Sequence, residues 1–174
     1  KDPFAVALDA LLQDGGRNLL VHPFENYCSG DLRVVEQMLR GPNTVCGVAD
    51  AGAHVGIICD ASSPTTLLSH WGRDRKRGET LPLELLVHKQ TRATANTYGL
   101  HDRGALVPGL RADINIIDFE NLRLHRPRVV HDLPAGGRRI VQRATGYKHT
   151  FVLGEEVGRD GELTGARPGR LIRS

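Results

Sequence analysis

The sequence predicts an α/β protein in which a layer of helices and parallel strands precedes a small β domain. Two observations lead to this fold class. Residues up to about 100 alternate between helical spacing of apolar side chains and short apolar strands. From Gly104 onward, glycine, proline and β-branched residues replace the helix formers, and turn signals recur. We therefore predict two domains, residues 1–100 and residues 101–174.

The first half of the layer alternates helix, strand, helix and strand. The first helix has an N-cap and first-turn pair, Asp2 and Pro3, and the second has Asp31 as its cap. Glycines end both helices. We expect helices over residues 2–15 and 31–41, and strands over residues 18–21 and 44–49. This alternation is typical of parallel α/β layers.

The remaining chain contains two more helical segments and then strand-like runs. One helix begins near Ser62 and includes Trp71, which we expect to pack against neighbouring helices. It ends in the basic stretch 73–77, which is expected to be a solvated helix end. A second helix opens at Pro82 and continues or restarts near Thr91. In the β domain, strands are expected over residues 114–119, 138–143 and 150–153.

Composition excludes two function classes. The net charge is +3 and the charged residues are interspersed, with one tryptophan, three tyrosines and four phenylalanines available for stacking, so a nucleic-acid surface is not expected. No apolar run approaches the roughly 20 residues that cross a bilayer. The three cysteines lack a C-x-x-C spacing, which favours reduced thiols and a cytoplasmic protein. Because the chain begins at Lys1 and its single methionine is Met38, we expect either a longer precursor that was cut or one piece of a larger protein.

Asp50 is the residue on which the functional interpretation depends. It follows an apolar strand and opens a loop of small residues that reaches His54. An acid at the end of a buried strand can bind a metal or accept a proton from a metal-bound water. It can equally accept hydrogen bonds from loop amides, and that structural alternative stays open. His54 and His22 could line the same pocket, or could be ordinary surface histidines.

Four segments resemble amidohydrolase-superfamily enzymes, in the order in which that family has them. Residues 48–54 (Val-Ala-Asp-Ala-Gly-Ala-His) are similar to the last barrel strand of the superfamily. Residues 91–100 resemble the helix that follows, and residues 102–114 resemble the entry into its small β domain. Residues 161–170 (Gly-Glu-Leu-Thr-Gly-Ala-Arg-Pro-Gly-Arg) resemble the C-terminal tail of N-acyl-D-amino-acid deacylases, also called D-aminoacylases.

The resemblance implies the C-terminal portion of a (β/α)8 TIM-type barrel, with its last two strands and their helices, followed by a small β-sandwich-like domain. It implies a metal-dependent hydrolase, usually containing zinc, that cleaves the amide of an N-acylated amino acid. Asp50 would lie beside the metal and move a proton from the attacking water to the leaving amine. His54 would face the metal and the substrate, and we assign His22 to substrate binding with it.

The sequence also departs from the family pattern. The family's other metal ligands lie on earlier strands, so we expect the 174-residue chain alone to be inactive. The loop over residues 59–64 lacks the arginine that binds the substrate carboxylate in D-aminoacylases. We expect the rest of its own chain, or further copies, to cover its open strand edges. Two alternatives remain: a cyclic-amide hydrolase or deaminase of the same superfamily, and a non-catalytic binding module.

Overall fold

The computed structural model describes residues 1–22, 25–47, 49 and 52–172. The contacts divide the chain into two compact units, Lys1–Arg40 and Gly41–Ser174. The helices and strands beyond residue 60 therefore all belong to the second unit. The predicted domain boundary near residue 100 lies inside that unit and stays a prediction.

The first unit contains the two helices that the sequence predicts. Helix α1 spans Pro3–Gly16, and the Asp2 carboxylate accepts hydrogen bonds from two first-turn amides at 3.2 and 3.3 Å. Its helical geometry breaks before Gly15, as expected. Helix α2 spans Arg33–Arg40, preceded by Asp31, whose carboxylate accepts a hydrogen bond from the first amide of the helix at 3.0 Å.

After the 3-10 turn Asp60–Ser62, the second unit contains three helices and a π-helical turn. Helix α3 spans Ser63–Ser69 and continues into the turn His70–Asp74, α4 spans Leu83–Gln90, and α5 spans Arg92–Thr97. The chain breaks between α4 and α5, so the helix restarts rather than continues. None of the helices in the described ranges is long and apolar enough to cross a membrane.

The core of the second unit lies between these helices and the start of the β region, the part of the chain that contains the strands from residue 114 onward. Leu86 of α4 and Leu122 are fully buried, and Trp71 is 5% exposed, which confirms the predicted packing role of the tryptophan. The backbone approaches closely at Gly146, where φ is 107° and an added Cβ would lie 2.7 Å from the Cα of Leu122. A side chain at that position would therefore displace the core.

The expectation of a solvated basic stretch is wrong for two of its arginines. Arg73 donates hydrogen bonds to the carbonyls of Phe119 and, at 2.6 Å, Leu122. Arg75 is buried, with its guanidinium 4.5 Å from the Trp71 ring centroid. A guanidinium has five N–H donors, so it can satisfy the carbonyls of a turn that has no strand partner. The sequence pattern does not show that this turn lies opposite the helix end.

The β region has eight short strands, all paired antiparallel. They are β1 Ile114–Ile117, β2 Arg123–Leu124, β3 Arg128–Leu133, β4 Gly137–Val141, β5 Ala144–Thr145, β6 Tyr147–Val152, β7 Glu155–Arg159 and β8 Glu162–Leu163. One sheet has the order β1-β6-β7-β8, and β2-β5 and β3-β4 form separate ladders. The predicted strands over residues 114–119, 138–143 and 150–153 overlap β1, β4 and β6, and the other five were not predicted.

The two predicted parallel strands do not form in the part of the chain that the structure describes. Residues 18–22 and 44–47 contain no strand. A buried parallel strand obtains its backbone hydrogen bonds from neighbours that are distant in sequence, and no such neighbours occur among the described residues. The barrel portion of the predicted fold is therefore not observed and stays a proposal.

The β6–β7 hairpin contains an ion-pair cluster around Glu156. The Glu156 carboxylate accepts hydrogen bonds from the Arg159 guanidinium, and its Oε1 atom lies 2.6 Å from Nδ1 of His149. The Arg159 hydrogen bonds and then the His149 contact lower the pKa of Glu156 from 4.5 to about 2. The ionised carboxylate therefore stabilises the hairpin.

We predict that Glu156→Gln changes the acid sensitivity of the fold. Because the folded-state pKa is depressed, the stabilisation is complete above about 4.5 and is lost as the pH falls towards about 2. The difference in melting temperature between the wild type and the variant should shrink over that range. Glu155→Gln, at the exposed neighbouring position, is the control and should show no such convergence. A difference that is constant with pH would contradict the assignment.

We predict that Leu86→Ala lowers the free energy of unfolding by about 2–5 kcal/mol, because it leaves a cavity in the core. Leu106→Ala removes the same atoms from a side chain that is 80% exposed, and should change stability by less than about 0.5 kcal/mol. Denaturant unfolding followed by circular dichroism measures both. Equal effects would show that the core does not lie around α4.

Candidate functional site

Asp50 lies outside the described residues, together with Val48 and Ala51. The structure does describe the chain on both sides of it, residues 41–47 and 52–62. Within the described ranges, no group of three or more histidine, cysteine, aspartate or glutamate side chains could hold a metal. The candidate site is therefore defined by the two flanks of Asp50 and by the side chains that fix them.

The upstream flank is bound by a buried lysine, Lys89 of α4. Its side chain is 5% exposed, and its ammonium donates to the carbonyls of Gly41 and Thr44, the latter at 2.5 Å. A third hydrogen bond reaches the Thr44 hydroxyl at 3.1 Å. That hydroxyl in turn donates to the Gly41 carbonyl at 3.0 Å. All three donors of the ammonium are therefore used on one short segment.

Cys46 lies on the same segment and is affected by the same lysine. Burial raises the pKa of the Cys46 thiol, and the Lys89 charge opposes this shift. The thiol is therefore a protonated, half-buried group near neutral pH. Cys46 lies four residues before Asp50 in the sequence.

The downstream flank is a turn that contains His54. This residue adopts a left-handed conformation with φ of 47°, and its carbonyl accepts hydrogen bonds from the amides of Ile57 and Ile58 at 2.8 and 3.0 Å. The next residue, Val55, accepts a backbone hydrogen bond at 2.7 Å from Ile140 of β4. The β region thus fixes the loop that follows Asp50.

The start of α3 is also tied to the β region. The Ser62 hydroxyl donates to the side-chain carbonyl of Gln142 at 2.5 Å. Thr65 and Tyr147 share a hydrogen bond between their hydroxyls at 2.7 Å. The loop after Asp50 is therefore held at Val55 by β4 and at Ser62 by Gln142, which lies between β4 and β5.

The structure places the two predicted site histidines on the surface. His54 is exposed in the second unit, and His22 is exposed in the first. Exposure agrees with the alternative of ordinary surface histidines, and leaves both side chains accessible to a ligand. Their roles in substrate binding stay a prediction, as does the role of Asp50.

A separate cavity of about 510 Å³ lies in the β region. Its lining includes His125, Arg143, Tyr147 and Glu162, and does not include His22 or His54. The Arg143 and Glu162 side chains form an exposed ion pair across it at 2.9 Å. Nothing about this cavity connects it to the chemistry expected of Asp50.

Sequence reasoning missed Lys89, although the pattern contained a signal for it. Lys89 is three residues after Leu86, so both lie on one face of α4. A lysine on the buried face of a helix requires partners for its charge. The identity of those partners, 45 and more residues away in sequence, could not be read from the pattern.

Residues 19–157 match the family model described as "Amidohydrolase family". The chain belongs to the amidohydrolase family. The match includes the Asp50 segment, both of its flanks and most of the β region. The predicted resemblance to amidohydrolases is therefore confirmed.

Two curated amidohydrolase relatives come from Alcaligenes xylosoxydans xylosoxydans. Its D-aminoacylase is 33% identical over 106 residues, which are 61% of this chain and 19% of that enzyme. Its N-acyl-D-aspartate deacylase is 38% identical over 93 residues, which are 53% of this chain and 17% of that enzyme. The chain thus spans about a fifth of the length of either relative.

Solved structures of D-aminoacylase are also similar. A mutant D-aminoacylase in complex with copper chloride matches with a TM-score of 0.48 and 29% identity, over 64% of this chain and 21% of that one. A structure described as defining a novel subset of amidohydrolases matches with a TM-score of 0.44 and 29% identity, over 59% and 19%.

Proposed function

We propose that this chain is the C-terminal part of a metal-dependent amidohydrolase that cleaves a linear amide, with an N-acyl-D-amino acid as substrate. The observation that supports this most is the family match across the Asp50 segment, together with two deacylases among the relatives. The products would be a carboxylate and a free amino acid.

In this proposal Asp50 is the catalytic residue and a contact of the metal. Its carboxylate takes a proton from the attacking water and gives it to the nitrogen of the leaving amine, acting first as base and then as acid. Zinc, when bound, supplies a water whose pKa is about 7. The described residues do not assemble a ligand set, so the remaining ligands must come from the rest of the enzyme.

Substrate recognition is assigned to the histidines, with His54 and His22 facing the substrate. The loop over residues 59–64 has no arginine to pair with a substrate carboxylate. Recognition of the carboxylate must therefore use another cation of the complete enzyme. Because that arginine is absent, the preference for D-amino acids has to be measured by comparing substrates.

The proposal predicts that the full-length protein hydrolyses N-acyl-D-amino acids faster than cyclic amides such as hydantoins. The tail over residues 161–170 favours deacylation, whereas the Asp50 segment alone is common to the superfamily. Parallel assays with both substrate classes measure the preference. Turnover of hydantoins alone would replace the proposal with the cyclic-amide alternative.

Asp50→Asn in the full-length protein should reduce kcat by about 100- to 10,000-fold, because the amide cannot accept the proton. Asp9→Asn, which removes an exposed carboxylate from helix α1, is the matched control and should retain activity. Zinc content, measured by atomic emission, shows whether the variant also loses metal. Unchanged turnover in Asp50→Asn would instead favour the non-catalytic module.

The 174-residue chain by itself should show no amidase activity, because one carboxylate cannot hold a zinc ion that needs three protein ligands. It should also associate with further copies, since apolar side chains such as Phe4, which is 85% exposed, and Leu163, which is 86% exposed, face solvent. Turnover by the purified chain would contradict the first expectation. A monomer with a concentration-independent melting transition would contradict the second.

A further inference from the structure

We propose that the cavity of about 510 Å³ in the β region binds a small organic acid, in which one carboxylate is joined to an apolar tail. Cavities of roughly 300–1,000 Å³ with mostly apolar walls and a few convergent polar groups are typical of small-molecule sites. One wall of this cavity is rich in hydrogen-bond donors, and the rest of its surface is mostly apolar. The proposal follows from these residues and does not rest on the proposed function.

The donor-rich wall is one face of the ladder between β2 and β5. Arg123 lies opposite Thr145 in this ladder. The His125 amide donates a hydrogen bond to the Arg143 carbonyl at 2.9 Å, so the pairing continues to these two residues. Opposed residues of an antiparallel pair project to the same face, as do alternate residues of one strand. Two arginines, a histidine and a threonine hydroxyl therefore share one face, and three of them line the cavity.

The apolar part of the lining comes from β5 to β8. Its residues are Ala144, Tyr147, Val157 and Leu163. The Tyr147 hydroxyl shares a hydrogen bond with Thr65 of α3 at 2.7 Å, which leaves the ring for apolar contact. An aliphatic or aromatic tail placed here would lose contact with water in proportion to its area. The lining therefore favours an acid with a tail over a simple inorganic anion.

The walls of the cavity are held by backbone contacts and are present without a ligand. At the turn between β7 and β8, the Asp160 amide donates to the Lys148 carbonyl at 2.9 Å. The next residue, Gly161, has a φ of 84°, and a Cβ added to it would lie 3.9 Å from the Ala144 carbonyl oxygen. This turn therefore lies against β5. A preformed cavity reduces the entropy that a ligand must lose on binding.

The charge around the donor-rich wall is positive. Residues 121–154 contain seven lysines and arginines and a single acid, Asp132, although the net charge of the whole chain is only +3. Within the described ranges, neither Arg123 nor the His125 ring has a hydrogen-bond or ion-pair partner. A cleft with an excess of one charge attracts ligands of the opposite charge. The wall therefore favours an anion.

The ion pair across the cavity indicates which anion. The Glu162 carboxylate accepts a hydrogen bond from Nη1 of Arg143 at 2.9 Å, and the two side chains are 78% and 61% exposed. An exposed pair of this kind is weak, so a ligand carboxylate can replace Glu162 at little cost. The guanidinium geometry suits a carboxylate particularly well. Asp160, the other acid of the lining, lies 3.5 Å from the Lys148 ammonium, which balances its charge.

The first test uses octanoate as the probe and the full-length protein. Hydrogen–deuterium exchange is followed by mass spectrometry in peptides that cover residues 143–147 and 157–163. Octanoate at about 10 mM should slow exchange in both peptides at least about twofold. Acetate, which lacks the tail, and octylamine, which has the opposite charge, should leave it unchanged. Equal protection by acetate would show an adventitious ion only and overturn the proposal. Absence of protection by octanoate would also overturn it.

The second test measures the octanoate Kd from the concentration dependence of that protection. Arg143→Met should raise Kd at least about tenfold, because it removes the charged donor. Glu162→Gln should lower Kd by about two- to fivefold, because it removes the competing carboxylate. Arg138→Met and Glu155→Gln make the same changes of charge at exposed positions outside the cavity lining, and should leave Kd unchanged.

The opposite signs of the two effects separate a ligand site from a structural ion pair. If Arg143 and Glu162 only stabilised the fold, both variants would change binding in the same direction or not at all, and either result would overturn the proposal. Both side chains are exposed, so circular dichroism should show folded variants. If Arg143→Met does not fold, Glu162→Gln decides the test alone. The readout does not depend on amidase activity, so failure of the proposed function would leave this site unaffected.

Discussion

The hydrogen bonds from Lys89 to residues 41–44 are the constraint on which the candidate site depends. The described residues 41–47 form neither helix nor strand, so their path is set by what binds their carbonyls. A charged donor in a buried setting gives stronger hydrogen bonds than a neutral one. These acceptors offset the cost of burying the charge.

The β region has a comparable role on the other side of Asp50. The Val55 carbonyl binds the Ile140 amide, and the Ser62 hydroxyl binds Gln142. These contacts join the loop that follows Asp50 in sequence to β4 and to the residue directly after β4, 80 or more positions later in the chain. The β region is therefore part of the support of the candidate site, and most of it lies within the family match, which ends at residue 157.

Features set by local sequence were predictable, and features set by distant partners were not. The Asp2 and Asp31 caps depend only on adjacent residues in the sequence, so helices α1 and α2 were predicted correctly. The two predicted parallel strands would need partners that are distant in sequence, and they do not form among the described residues. Arg73 shows the same limit, because its carbonyl partners are 46 to 49 residues away.

In the candidate site, too, the features set by local sequence were predictable and those set by distant partners were not. Motif resemblance identified the Asp50 segment and the family, because those residues are contiguous. Lys89 was missed because a lysine in a helix pattern normally lies in solvent. Its function in the fold becomes visible only when α4 and residues 41–44 are brought together. The family was thus readable from short motifs, whereas the contacts that fix the described flanks of Asp50 required the three-dimensional structure.

The most direct measurement is a crystal structure of the full-length protein with zinc bound. The account predicts that Asp50 ends a parallel barrel strand, with a carboxylate oxygen about 2.0–2.2 Å from the metal or hydrogen-bonded to the water on it. It also predicts that Lys89 retains its bonds to Gly41 and Thr44. An Asp50 side chain turned into the protein interior, or its strand paired antiparallel, would contradict the account.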